Sequence, residues 1–198
     1  MTKLYFVRHA QPVHGWEDDR TRPLTAEGKR DREQVEVTLQ EITLDAAVCS
    51  PYTRSIDTIA ACATAHGLEI RLDERLRERQ KGKSGNEYGM FRKRWDDFDY
   101  HEEGGESIHM VQERNVQAVK QILQEYNGKS VLIGTHGTAL STILNYYEPS
   151  FCCKDFLRII DYMPYIICLT FEDETYVGKE ELLVVEKEFK GAQRADKQ

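Results

Sequence analysis

Two histidines in this chain each stand directly beyond a short apolar run. Leu4-Tyr5-Phe6-Val7 leads into Arg8-His9-Ala10, and Val131-Leu132-Ile133 leads through Gly134-Thr135 into His136-Gly137-Thr138. Apolar runs of this length read as buried strands. In open α/β sheets ligands bind just beyond the carboxyl ends of strands. A cation and an imidazole at such a point suggest an anion site that holds a nucleophile or a base. A surface Arg-His pair at a strand end would look the same in isolation. The repeat of the design at His136, in a chain with 6 histidines, weighs against that plainer reading. Behind His136 a helix is expected from about Thr138, and the unpaired N–H groups at its start, Gly137 included, favour an anion.

Two further residues extend the set. Ser50-Pro51-Tyr52-Thr53-Arg54 follows the apolar Ala46-Ala47-Val48-Cys49, with Ser50 suited to cap a helix and Pro51 to its first position. Arg54 then falls in the first turn, where the helix dipole disfavours a cation unless an anion lies close by; an exposed arginine could also tolerate that position. Cys49 and Arg54 are separated by four residues, one short of the five that a cysteine-phosphatase loop needs. Glu78 lies in a charged connection, Asp73 to Lys83, and composition alone makes it one more solvated charge. In the polar loop from Gln11 to Pro23, Trp16 is the apolar exception, either covering the mouth of a site or anchoring the loop.

The elements that must position these residues alternate. After the first strand, Thr25 caps a helix whose apolar face is Val35, Leu39 and Ile42, and Gly28 in its first turn hints at a close backbone neighbour. Ala46–Cys49 is a second strand, a helix with Ile56, Ile59, Ala60 and Ala63 on one face ends at Gly67, and Leu68–Leu72 is a third strand. From Glu87, Tyr88, Phe91, Trp95 and Phe98 form a helical stripe that reads as packing more readily than as a ligand platform. Ser107 opens a long helix that ends at Asn127-Gly128. A short helix over Ser150–Leu157 and two strands, Tyr165–Thr170 and Leu182–Phe189, follow. Lys190–Gln198 is polar and reads as disordered.

Composition excludes several classes. The chain has 198 residues, 40% hydrophobic and 31% charged, with a net charge of −7. That balance gives no reason to expect a nucleic-acid or membrane partner. No stretch approaches the length of a membrane span, and the strand entered at Leu4 leaves no room for a signal peptide. Five cysteines without metal spacing read as reduced thiols in a cytoplasmic protein. Nothing marks a second domain.

Two histidines, two arginines and a glutamate at strand ends and helix starts suit phosphoryl transfer through a covalent intermediate. A neutral imidazole attacks phosphorus, guanidinium forks bind the equatorial oxygens, and an acid protonates the departing oxygen. No metal or cofactor is required. Taken in order, Arg8-His9-Ala10, Leu24-Thr25-Ala26-Glu27-Gly28, Ser50-Pro51-Tyr52-Thr53-Arg54, Leu76-Arg77-Glu78, Gly104-Gly105-Glu106-Ser107 and Gly134-Thr135-His136-Gly137 resemble the motifs of the histidine phosphatase superfamily, which includes cofactor-dependent phosphoglycerate mutases. The resemblance implies a three-layer α/β/α sandwich around a mainly parallel sheet, with a helical insertion at about 79–105 over the active site, in one domain spanning 1–198. It implies His9 as the phosphorylated nucleophile, Glu78 as general acid, and Arg8, Arg54 and His136 around the phosphate, with Gly137 and Trp16 added as substrate contacts.

The sequence departs from the family pattern in two places. Ala10, Pro12 and Gly15 stand where the family most often has Gly, Thr and Asn, and Lys81-Gly82-Lys83-Ser84-Gly85 does not match the usual run after the acid. The expected activity is hydrolysis of a phosphomonoester, small molecule or phosphoprotein. The alternatives are mutase-type transfer and non-catalytic phosphate binding.

Overall fold

Seven residues, Thr2–Arg8, form strand β1, and their alternation explains the layers on either side of it. Leu4 and Phe6 point into one apolar cluster with Val48, Val119, Ile122, Ile133, Leu140 and Ile143. Tyr5 and Val7 point into another with Val35, Leu39, Cys49, Ile59, Leu132 and Ile166. A strand buried on both faces must carry apolar residues at every position, so it reads as a continuous run. The computed structural model describes residues 1–83 and 89–187.

Strands β2 (Ala46–Cys49), β3 (Ile70–Leu72), β4 (Ser130–Thr135), β5 (Tyr162–Glu172) and β6 (Thr175–Glu186) complete one sheet in the order β3-β2-β4-β1-β5-β6. The pairs β1–β4, β2–β4 and β2–β3 are parallel, whereas β5 and β6 join antiparallel at the β1 edge. The helices are α1 (Ala26–Asp31), α2 (Glu33–Leu39), α3 (Thr53–Ala65), α4 (Met90–Asp96), α5 (Ile108–Glu125), α6 (Gly137–Tyr147) and α7 (Cys153–Ile159). Residues of α2 and α3 cover one face of the sheet, and residues of α4, α5, α6 and α7 the other. The three-layer α/β arrangement expected from the sequence is therefore the one observed. No helix among the described residues is long and apolar enough to cross a membrane.

Local signals held where they were self-contained. Thr25 Oγ1 accepts from Gly28 N at 2.9 Å. A Cβ on Gly28 would stand 2.3 Å from the carbonyl oxygen of Gln11, the close approach that its place in the first turn implied. Several boundaries differ. The helix after Thr25 is broken in two at Arg32, whose guanidinium turns away to the carbonyl of Asp57. Helix α3 starts at Thr53 with Tyr52 as its N-cap, so Ser50 does not hold the cap, nor Pro51 the first helical position, expected of it. The third strand is shortened to Ile70–Leu72, α7 is displaced to Cys153–Ile159, and the last strand begins at Thr175. Helix α4 spans Met90–Asp96. Tyr88 of the aromatic stripe and the tail 190–198 lie outside the described residues.

Candidate active site

Register brings the two histidines together. β1 and β4 are parallel with Arg8 opposite Thr135, so the next residue of each strand, His9 and His136, leaves the sheet at the same level. The ring centroids are 5.2 Å apart. His9 Nδ1 lies 2.8 Å from the Ala10 carbonyl oxygen. A carbonyl only accepts, so Nδ1 carries the proton and Nε2 keeps its lone pair. Burial, and then the charges of Arg54 and Arg8, push the His9 pKa well below 6.5. The ring is neutral at physiological pH, which a nucleophilic imidazole requires.

His136 is fully buried, and Tyr52 packs edge-on against its ring at 5.1 Å. Its Nε2 lies 2.7 Å from Ser50 Oγ, and that hydroxyl also accepts from Tyr52 N. His136 Nδ1 is a buried atom with no hydrogen-bond partner in the structure. Burial, and then Arg54 and His9, lower the His136 pKa well below 6.5 as well. Ser50 is thus drawn from its expected cap by a histidine 86 residues away.

The arginines are anchored before any ligand arrives. Arg8 donates from Nη1 to the carbonyls of Ile159 and Tyr162, at 2.5 and 2.8 Å. Burial lowers its pKa to about 10, so it stays charged at neutral pH. Gly137 makes room for it, since a Cβ there would lie 3.2 Å from Arg8 Nε. Arg54 donates from Nη1 to the Asp19 carbonyl at 2.6 Å and stacks 5.1 Å over Tyr52. The Asp19 carboxylate lies 3.3 Å from the same Nη1. The anion that a first-turn arginine called for is therefore supplied by the chain's own loop.

Glu78 lies at the start of α6. Its Oε2 accepts from Thr138 N at 3.1 Å, and its Oε1 from Ala139 N at 3.3 Å and Arg79 N at 2.7 Å. The donors of this helix start are thus taken by a side chain. The backbone around Glu78 is fixed by Arg114, which donates to the carbonyls of Arg75, Arg77 and Glu78. Arg114 also pairs with Glu106, and Arg77 forks onto the same carboxylate at 2.6 and 2.8 Å. Burial alone would raise the Glu106 pKa, but the bonds from Arg77 and Arg114 outweigh it and hold the carboxyl at about 2.

These groups surround a cavity of about 790 Å³. Arg8, His9, Arg54, Glu78, Gly137 and Trp16 line it. His136 stands behind His9 rather than on the wall. Trp16 is 45% exposed and donates to Thr21 Oγ1, so it both borders the cavity and anchors its loop. Phe91, Trp95, Ile108, Phe156 and Met163 form an apolar side of the same cavity. Two stripe residues, Phe91 and Trp95, therefore serve core and wall together. Asp19, Arg22 and Lys81 also line the cavity. They are charged residues of connecting segments, and their sequence carries no periodicity or motif that would single them out.

The model of the histidine phosphatase superfamily (branch 1) matches residues 4–151, and the chain belongs to that superfamily. A curated relative, a probable phosphoglycerate mutase GpmB of Salmonella choleraesuis (strain SC-B67), is 27% identical over 169 residues, which cover 73% of this chain and 74% of the relative. YhfR of Bacillus stearothermophilus is similar in structure, with a TM-score of 0.73 and 24% identity over 96% of this chain and 98% of its own. A mycobacterial glucosyl-3-phosphoglycerate phosphatase in complex with VO3 superposes with a TM-score of 0.75 at 18% identity, covering 94% of this chain and 99% of its own. A phosphoserine phosphatase mutant of Entamoeba histolytica in complex with phosphoserine gives 0.73 at 18% identity, over 89% and 94% of the two chains.

Proposed function

We propose that residues 1–198 form one domain that hydrolyses phosphomonoesters through a phosphohistidine on His9. The observation that carries this reading is the His9 ring itself: its Nδ1 proton is committed to the Ala10 carbonyl, and it is buried and neutral beside two arginines. Mere phosphate binding gains nothing from a neutral imidazole held in that tautomer. In the first step Nε2 forms a bond to phosphorus while the ester P–O bond breaks. Arg8 and Arg54 take the charge that develops on the equatorial oxygens. His136 joins them, its Nδ1 buried without a partner. Glu78 delivers a proton to the departing oxygen. In the second step water attacks phosphorus, Glu78 accepts its proton, and the P–N bond breaks to release inorganic phosphate.

Transfer back to a bound hydroxyl would need a pocket that retains the dephosphorylated intermediate and excludes water. Among the described residues between Glu78 and Ser107 the one helix is α4, of seven residues, and its Phe91 and Trp95 are packed into the core. That favours water as the acceptor, as do the two structural relatives that are phosphatases. The mutase reading rests on the name of the curated relative. The substrate is a phosphorylated small molecule or a phosphoprotein, and the buried thiols of Cys49, Cys62 and Cys168 suit a reducing cytoplasm.

Incubation with 3-phosphoglycerate and a trace of the 2,3-bisphosphate separates the two reactions. Slow or absent formation of 2-phosphoglycerate is expected, with inorganic phosphate released from a panel of phosphomonoesters. Isomerisation faster than phosphate release from every ester tested would establish the mutase instead.

A further inference from the structure

The Gln11–Pro23 loop sends Asp19 and Arg22 into the cavity beside His9. Arg22 Nη2 lies 3.1 Å from Asp19 Oδ1, and Arg54 Nη1 lies 3.3 Å from the same oxygen. Two guanidinium groups from separate parts of the chain therefore converge on one carboxylate, Arg22 at Oδ1 and Arg54 at both oxygens, its hydrogen bond running from Nη2 to Oδ2 at 3.4 Å. One carboxylate cannot neutralise both, and Lys81 stands close enough to feel Asp19, Arg22 and Arg54 as well. The side chain of Arg22 is 17% exposed, and its Nε is buried with no hydrogen-bond partner. A buried donor without an acceptor is unfavourable unless a ligand supplies one. Arg22, Arg54 and His9 all line this one cavity.

Taking His9 as the nucleophile proposed above, we propose that Arg22 is a third phosphoryl-binding arginine and that the Asp19 carboxylate holds the place of a phosphoryl oxygen until substrate exchanges with it. The exchange leaves the loop in position. Arg54 grips the main-chain carbonyl of Asp19 at 2.6 Å, and only the carboxylate, whose side chain is 30% exposed, has to turn out to water. The plainer account makes Asp19 and Arg22 an i,i+3 staple within the loop. That account leaves unexplained why Arg54 shares the same carboxylate and why Arg22 Nε has no acceptor.

Calorimetric titration with inorganic phosphate and with orthovanadate distinguishes the two, because neither probe has a leaving group. Arg22→Ala should weaken both ligands about tenfold or more, the loss typical of a charge-assisted contact, with Arg22→Lys intermediate. Asp19→Asn should strengthen both, since a competing carboxylate is gone. Equal weakening by Asp19→Asn and Arg22→Ala would show a loop staple and overturn the proposal. Unchanged affinity in Arg22→Ala, with KM raised only for whole phosphomonoesters, would place Arg22 on the leaving group and also overturn it. If Arg22→Ala melts well below the wild type, Arg22→Lys and Asp19→Asn still decide the question. Absence of phosphate and vanadate binding in the wild type, or binding indifferent to Arg54→Ala, would instead count against the phosphatase reading itself.

Discussion

Arg8 and His9 reach the cavity, and His136 stands beside His9, from neighbouring parallel strands whose register is set by consecutive pairs from Lys3–Ser130 to Arg8–Thr135. The opposite wall, from Arg77 to Ser107, has little regular structure among its described residues beyond α4, and ion pairs tie it down. Glu106 receives Arg77 and Arg114. Glu102 receives Arg79 and Arg94, with all three side chains nearly fully buried. A sheet edge is held by many coupled backbone bonds, so a side chain at its end is placed within narrow limits. A wall held by a few charged pairs depends on each of them, because breaking a buried pair leaves an uncompensated charge. In the proposed reaction the two walls have different work: the sheet edge places the phosphoryl chemistry, and the ion-paired wall shapes what is attached to the phosphate.

Substitutions on the two walls should therefore fail in different ways. The largest effect is expected for His9→Ala, which should remove the acid-labile phosphoenzyme and lower turnover by at least about a thousandfold, with thermal stability nearly unchanged. In the wild type the nucleophile should stay unprotonated as pH falls through the ordinary imidazole value of 6.5, so His9 should impose no loss of kcat/KM there. Labelled phosphoenzyme in His9→Ala would move the nucleophile elsewhere.

Next in size is Glu78→Gln, where the two walls meet. Turnover on alkyl phosphates should fall by about 10²–10⁴, the range of general acid catalysis, with a far smaller loss on aryl phosphates whose leaving group needs no proton. Equal losses on both substrate types would reduce Glu78 to a cap for α6.

The smallest effect on chemistry, and the clearest on stability, should come from Glu106→Gln. The folded-state pKa of Glu106 is depressed from 4.5 to about 2. The stability it contributes is therefore complete above 4.5 and is lost as pH falls toward 2. At neutral pH it is on the order of 3 kcal/mol. Denaturant titrations should show wild type and Glu106→Gln well apart at pH 7 and converging below pH 4.5. A gap that does not change with pH would mean that the Arg77–Glu106–Arg114 cluster adds nothing through charge.

Much of the sheet edge was legible in the chain alone. Leu4–Val7 and Val131–Ile133 are apolar without a break, and the residues after them break the pattern abruptly; both are local signals that need no partner to be read. The N-cap at Thr25, the tight approach at Gly28 and the helix stop at Gly67 are local in the same sense. Ordered motifs then carried His9, Arg54, Glu78 and His136 into one family pattern, and all but His136 reach the cavity wall. What tertiary structure decided is where competing partners pulled residues from their local preference. Ser50 had the chemistry of a cap, but the buried imidazole of His136 claimed its hydroxyl. The start of α6 was suited to any anion, and Glu78, delivered by a chain segment 60 residues earlier, took it. Asp19 and Arg22 were two charges in a charged loop. Their meeting with Arg54 on one carboxylate arises from how that loop folds over α3, a long-range event on which hydrophobic periodicity carries no information.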